Sequence, residues 1–259
     1  MIKISVIVTT YNRPKLLKET LDSILNQTYV DFELIVVDNN SNYDFFKLIE
    51  SFKDSRIKAY QNDNNGIIAT NRNFGIKKAK GEYIAFCDDD DIWLHNKLEL
   101  QIDRILKNKS DFISSNVLLF NSHTENIISK TNFILPLNFN AFIKLNHVNT
   151  STVITKKTTL LNFDESKDLV TIEDYSLWLK LYKNSYKFDF INEPLVYYRL
   201  SDNNASLKNY SIKHIRLMFL FNKIFISTNN ISTRFILIKI IIINFFKYII
   251  KKYSIFRKI

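Results

Sequence analysis

Four consecutive aspartates, Asp88 to Asp91, stand directly behind the apolar run "EYIAF" and ahead of Ile92 and Trp93. Four like charges side by side resist ionising together unless a cation offsets them. The run can be a solvated turn, a metal cage or a pair of acids for catalysis. Hard divalent ions take oxygen ligands, and Mg2+ or Mn2+ commonly uses one or two carboxylates together with substrate phosphates. Asp88 and Asp90 share one side of an extended segment. That spacing suits a divalent ion whose shell a bound diphosphate completes.

The first hundred residues alternate strands and helices. "KISVIVTT", "FELIVVD", "RIKAYQN" and "EYIAFC" read as strands, the first nearly continuous in apolar residues, as a buried strand is. "RPKLLKETLDSILNQ" carries Leu16, Leu17, Leu21, Ile24 and Leu25 on one helical face, with Pro14 tolerated in the first turn. Helices are also expected over "YDFFKLIESF" and around "GIIATNRNFGIKKAK". Such alternation predicts an α/β fold with right-handed crossovers and a mainly parallel sheet. Ligands of these sheets bind beyond the carboxyl ends of the strands. Three loops deliver polar residues there: Thr9 to Asn12, Asp38 to Ser41, and Asp88 to Asp91.

The chain of 259 residues is 46% hydrophobic, enough for one large domain or one domain with an appendage. Cys87 is the single cysteine, which rules out an internal disulfide and suits a reducing compartment. The opening "MIKISVIVTTYN" runs straight into a strand pattern, so no secretory signal is expected. The net charge of +10 is confined to one region, because residues 203–259 hold 11 Lys/Arg and no acid. The remainder is near neutral, and the basic end is apolar-rich, so nucleic acid is a poor partner. A Gly-rich phosphate loop is absent. A phosphatase-type D-x-D-x-T loop is excluded because the aspartates follow the fourth strand and Ile92 replaces the hydroxyl.

Residues 110–200 are less regular. "DFISSNVLLF", "NTSTVITKK" and "PLVYYRL" read as strands, and "TIEDYSLWLKLYKN" as a helix opening with two acids, which suits a helix N-terminus. Two helices follow from about Lys208. In the second, Arg234 to Lys258, one arc carries Lys239, Asn244, Lys247, Lys251, Ser254, Arg257 and Lys258; Arg234 and Lys252 fall outside it, and the remaining arc is Ile, Phe, Leu and Tyr. Lys239 and Lys247 interrupt any spanning run. The pattern fits a basic amphipathic helix on an anionic membrane surface; packing against the preceding domain is the other reading.

"SVIVTTYNRPKLLKETLDSILNQTYVDFELIVVDNNS", "NRNFGIKKAKGEYIAFCDDDDIWLHNKLE" and "EDYSLWLKL" together resemble the inverting glycosyltransferases of family 2, which have the Rossmann-like GT-A fold. Bacterial enzymes of O-antigen, capsule and lipooligosaccharide synthesis are of this kind. The match covers about residues 3–200. It implies a catalytic domain over 1–205, with a nucleotide-binding half at 1–100 and an acceptor-binding half at 101–205. Residues 206–259 would be the membrane-associating extension, and the protein would sit peripherally on the cytoplasmic face of the cell membrane.

The resemblance also implies roles. Thr9 and Tyr11 match positions lining the base pocket. The usual V-D-D-x-S reads Val37-Asp38-Asn39-Asn40-Ser41, so Asn39 replaces an aspartate that often meets uracil. An amide still offers a donor and an acceptor, which keeps UDP and admits a dTDP-sugar such as dTDP-rhamnose. Arg72 matches a basic residue near the diphosphate, or is a surface helix residue. Asp88-Asp89-Asp90 is the D-x-D motif, with Asp90 the metal ligand and Asp88 on the ribose or metal; Mn2+ or Mg2+ is implied. Asp91 supports them. Glu173 and Asp174 match the Glu-Asp pair, with Asp174 the catalytic base or simply a helix N-terminal acid. Trp178 shapes the acceptor site or belongs to the core. Two departures stand out: His95 replaces a usual proline, and Ser201 stands where a histidine often follows the "YYR" strand. The implied reaction moves a hexose from a nucleotide sugar, UDP-linked foremost, to a hydroxyl of a lipid-linked or lipid-anchored glycan. A non-catalytic sugar-nucleotide binder is the remaining alternative.

Overall fold

The computed structural model describes residues 4–121, 127–134, 138–158, 161–200 and 210–256. Ser201, the 205/206 boundary, Arg257 and Lys258 lie outside the described residues, as do the side chains of Lys251 and Ser254.

Strands β1 (Ile4–Thr10), β2 (Phe32–Asp38), β3 (Ile57–Gln61) and β4 (Tyr83–Asp88) alternate with helices α1 (Pro14–Leu25), α2 (Phe45–Glu50) and α3 (Ile68–Lys78). All pairings among these strands are parallel, in the order β3-β2-β1-β4. A two-residue β5 (Ile92–Trp93) and helix α4 (Lys97–Asn108) follow the aspartates. Beyond them come β6 (Phe112–Phe120), β7 (Ile127–Lys130), α5 (Phe139–Phe142), β8 (Ile154–Lys156), α6 (Glu173–Lys183) and β9 (Phe188–Arg199). These continue the sheet as β4-β8-β6-β9-β5, with β7 beside β6, so the described residues form one nine-stranded sheet. The added half is mixed: β8 runs antiparallel to β4 and β6, and β9 parallel to β6.

Alternation along the strands divides the core. From β1, Ile4, Val6 and Val8 face α1, α2 and α4, among Leu17, Leu21, Phe45, Leu98 and Ile102. Ile7 faces the other way, with Phe86, Phe112, Phe163 and Trp178. Trp178 is fully buried, its ring edge-on to Phe112 and Phe163. Of its two readings, core is the one observed. "NTSTVITKK" is extended only in part. Thr150–Thr152 form a 3-10 turn before β8, because Asn149 caps the Ser151 N–H and Thr152 bonds back to the Asn149 carbonyl.

The C-terminal pair is α7 (Tyr210–Ser227) and α8 (Ile231–Phe256), joined by a short turn. Leu220, Phe221 and Leu237 enter the same core cluster as Trp178. Asn244, expected on the polar arc of α8, is instead buried, its Oδ1 2.6 Å from Nδ1 of His214 on α7. Two buried polar groups that satisfy each other cost far less than either alone, and this fixes the rotation of α8. Phe235, Ile238, Ile242, Phe245 and Phe246 then remain exposed. The apolar arc is wider than the face the core can cover. No helix among the described residues is long and apolar enough to cross a membrane.

Beneath the aspartates, Lys97 is fully buried, its Nζ 2.7 Å from Oε1 of Gln101 and 3.9 Å from the Trp93 ring centroid. Burial pushes its amine down to about 7. The unfolded chain, with an ordinary lysine, then binds more protons between that value and about 10, so stability rises with pH across this window and levels off below it. Urea unfolding at pH 7 and pH 9 is expected to show the wild type gaining on Lys97→Met by up to about 1.4 kcal/mol per pH unit. Equal slopes for the two proteins would mean that the amine is not strained by its burial.

Candidate active site

Register brings the three polar loops together. Thr9 pairs with Val37 of β2 on one side and Asp88 of β4 on the other, and Thr10 pairs with Asp38. The strand order also reverses at β1, which opens a crevice at this edge. Asp38 is fully buried and accepts from the Ser41 N–H at 2.8 Å and from Gln61 at 3.1 Å. Asn39 accepts the Asn64 N–H through its side-chain oxygen at 2.8 Å, so that acceptor is occupied by the loop before α3. Thr9 is buried at the strand end, and Tyr11 stands exposed at the rim.

The four aspartates divide among partners from several elements, with Asp89 and Asp90 sharing Arg13. Asp88 accepts from Arg72 Nη2 at 2.8 Å. Asp89 is buried and accepts from the Thr10 hydroxyl at 2.7 Å and Arg13 at 3.0 Å. Asp90 pairs with the same Arg13 nitrogen at 2.9 Å. Asp91 is fully buried, held by the Ser151 hydroxyl and the Arg199 N–H. Burial pushes Asp90 up to about 6, with Asp88 and Asp89 adding to it and Arg13 opposing. Burial also raises Asp89, against Arg13, and raises Asp91 further, with Asp90 and Asp88 contributing. The loop is short of positive charge.

Arg72 is the centre of the arrangement. Burial works against its charge, but Asp88 and Glu173 more than offset that. Its second nitrogen donates to Glu173 at 2.7 Å, and both side chains are buried. The helix that carries it is nailed down on both sides: Asn71 accepts from Asn62 at 2.7 Å, and Asn73 exchanges two hydrogen bonds with the Phe163 backbone. Gly75 allows the close approach, since a Cβ there would lie 2.6 Å from the Ile7 side chain. Three consecutive polar residues, Asn71, Arg72 and Asn73, are buried on this helix, so Arg72 is not a surface helix residue.

Next to Glu173, Asp174 opens α6 and lines a cavity of about 710 Å³ that Asp88 also lines. Thr150 donates to Asp174 at 3.0 Å, and the Tyr175 N–H donates at 2.6 Å. Burial raises its carboxyl above the ordinary range, with Arg72 and these hydrogen bonds restraining the rise. A carboxylate poised this way at a cavity wall is suited to take a proton from a hydroxyl. Tyr198 lines the same space, and burial keeps its hydroxyl protonated, the nearby Asp91 adding to the effect.

Several participants were not singled out from the sequence. Arg13, in "YNRP", is the cation that answers Asp89 and Asp90; its position in the loop after β1 was the available signal. Arg199 of "YYR" donates to the Asp90 carbonyl at 2.9 Å and to Glu19 at 2.6 Å, closing the aspartate loop from β9. Ser151 and Thr150 carry no sequence signal, since only folding brings them to Asp91 and Asp174. His95 accepts the Thr28 N–H through its carbonyl at 2.9 Å, so the turn that usually holds a proline is pinned by its backbone. Among the described residues no three His, Cys, Asp or Glu side chains form a metal cage.

Removing the shared cation should expose its role. Arg72→Met leaves Glu173 buried without a counter-charge, and urea unfolding at pH 7 is expected to show a loss of about 3–5 kcal/mol. Adding Glu173→Gln should recover part of that loss, because the buried charge is gone. Additive losses in the double variant would show that the two groups are not energetically linked.

The chain is similar to known proteins over most of its length. An Escherichia coli protein, "UDP-Glc:alpha-D-GlcNAc-diphosphoundecaprenol beta-1,3-glucosyltransferase WfgD", is 36% identical over 212 residues, covering 80% of this chain and 81% of that protein. A second from the same organism, WfaP, with the same described activity, is 32% identical over 209 residues, covering 80% and 81%. Among solved structures, S. aureus TarS 1-349 in complex with UDP-GlcNAc superposes with a TM-score of 0.73 at 22% identity, over 92% of this chain and 70% of that one. Mannosyltransferase PcManGT from Pyrobaculum calidifontis, in complex with GDP-Man and Mn2+, gives 0.67 at 17% identity, over 91% and 68%; these two share the fold. The family model described as Glycosyl transferase family 2 matches residues 5–169, and the chain belongs to that family.

Proposed function

We propose that this glycosyltransferase moves glucose from UDP-glucose, with inversion, to a hydroxyl of an N-acetylglucosamine carried on a lipid diphosphate. The observation that carries the reading is the hydrogen-bonded chain Asp88–Arg72–Glu173 ending beside Asp174, with Asp88 and Asp174 on one cavity. The described donor and acceptor of the two Escherichia coli relatives support the substrate class.

Asp88 and Asp90 would hold Mg2+ or Mn2+. The raised carboxyl of Asp90, crowded by Asp88 and Asp89, fits a site completed by added positive charge, and oxygen donors suit these ions. When bound, the ion neutralises charge on the departing diphosphate. The protein's own part begins at the rim, where Thr9, Tyr11, Asp38 and Asn39 receive the base and ribose. Arg13, more open than Arg72, adds charge where the diphosphate leaves. Arg72 holds Asp88 toward the donor and Glu173 away from the acceptor. Asp174 accepts the proton of the acceptor hydroxyl as its oxygen bonds to the anomeric carbon. The bond from that carbon to the diphosphate breaks on the opposite face, and UDP departs with the electron pair. One displacement turns an α-linked donor into a β-linked product.

The exposed side chains Phe235, Ile238, Ile242, Phe245 and Phe246 of α8, with Lys239 and Lys247 beside them, support docking on an anionic membrane surface. A lipid-anchored acceptor would be met there.

Incubation with labelled UDP-glucose, Mn2+ and a GlcNAc-diphospho-lipid should give a β-linked disaccharide. Asp174→Asn should lower kcat by about 10²–10⁴-fold while UDP still binds. An α-linked product, or no transfer from any UDP-hexose, would overturn the reading. Asn39 motivates one rival donor, dTDP-rhamnose, and stronger inhibition by dTDP than by UDP would favour it. For the membrane, wild-type protein should float with phosphatidylglycerol vesicles and Phe245→Glu/Phe246→Glu should not; equal flotation rejects the docking face.

A further inference from the structure

The cavity that holds Asp88 and Asp174 has a second charged wall. Lys144 follows α5, Lys213 lies on α7 and Lys247 on α8, and all three line that same space. They come from three distant parts of the chain. No salt bridge among the described residues engages any of them. Neighbouring cations of the hairpin are committed elsewhere: Arg216 donates to the Val170 carbonyl at 2.6 Å, Lys223 pairs with Asp164 at 3.2 Å, and Arg234 donates to the Thr228 carbonyl at 2.8 Å. Three cations without an ion pair among the described residues, lining one concave surface, focus a positive potential into it. Lysine meets phosphate as a point charge. Leu217 and Ile243 stand among them on the same wall, and Ile243 is half exposed at 51%, so the apolar lining continues outward.

We propose that Lys144, Lys213 and Lys247 seat the diphosphate of the acceptor. The sugar then extends toward Asp174, and the lipid leaves across Leu217 and Ile243 to the exposed apolar side of the hairpin. The volume of about 710 Å³ falls within the range of small-ligand sites. The assignment rests on the acceptor being a diphospholipid, as in the reading above, and it names which part of the chain recognises that group. It also gives the acid-free C-terminal region a catalytic-domain function besides membrane docking.

The test separates diphosphate recognition from transfer and from headgroup binding. Decyl diphosphate, which carries no sugar, is titrated into full-length protein, and its Kd is compared with those of Lys213→Gln, Lys247→Gln and the double variant, all checked for unchanged Tm. Each single change is expected to weaken binding about tenfold, and Lys213→Arg to retain it. In transfer assays the KM for GlcNAc-diphospho-lipid should rise in step with kcat nearly constant, while the KM for uncharged octyl N-acetylglucosaminide stays put. Lysine-dependent binding of decyl diphosphate without transfer from any nucleotide sugar would support the seat and sink the glucosyltransferase reading. Unchanged Kd and KM in the double variant would overturn the seat even if transfer proceeds. Weaker binding to phosphatidylglycerol vesicles with decyl diphosphate affinity intact would overturn it too, assigning the lysines to lipid headgroups.

Discussion

A single buried guanidinium ties the two halves of this protein together. Arg72 reaches Asp88 at the end of β4 with one nitrogen and Glu173 at the start of α6 with the other, at 2.8 and 2.7 Å. Burial raises the Glu173 carboxyl and Arg72 opposes that rise, while a guanidinium buried without partners would be costly. The aspartates lie at the end of the parallel half of the sheet, and Asp174 lies on the helix between β8 and β9 of its mixed half. The bridge therefore sets where Asp88 stands relative to Asp174, the neighbour of Glu173. Its geometry depends in turn on α3 lying close against β1, which Gly75 permits and Asn71 and Asn73 secure.

The aspartate run resolves its self-repulsion by division. The carboxylates are shared among three regions: α3 for Asp88, the loop after β1 for Asp89 and Asp90, and β9 with the Thr150–Thr152 turn for Asp91. Asp91 thereby becomes a structural hub, its carboxylate accepting the Arg199 N–H and its carbonyl accepting from Thr20 at 2.8 Å. Asp90 is left with one shared arginine and two acidic neighbours. Strong electrostatic frustration of this kind gathers where function requires it.

The hairpin of α7 and α8 changes how the cavity is closed. Without it the wall opposite Asp174 would lack Lys213, Leu217, Phe221, Ile240 and Lys247. The His214–Asn244 pair fixes which residues of α8 face that wall and which face outward. A surface able to meet lipid and a cavity able to meet a sugar acceptor are thus two sides of the same helices, separated by the thickness of the hairpin.

Much of this was legible in the sequence. The strand–helix alternation through residue 100, the rim residues Thr9, Asp38 and Asp88, and the acidic start of α6 are local patterns of period and polarity, which neighbouring residues alone determine. One polar residue was read by period where a tertiary partner rules. Asn244 belongs by angle to an exposed arc, yet a histidine thirty residues earlier draws it inward. Asn71, Arg72 and Asn73 are buried on α3 because their partners, Asn62, Phe163 and Glu173, are brought by other elements. The pairing of Arg13 with Asp89 and Asp90, of Arg72 with Glu173, and the convergence of Lys144, Lys213 and Lys247 are long-range facts. The sequence alone determined which residues could carry charge at the strand ends and the fold class that gathers them. The tertiary structure decided which charges neutralise one another and which remain free for a ligand, because Coulomb energy depends on separation in space and burial, and neither is written in sequence spacing.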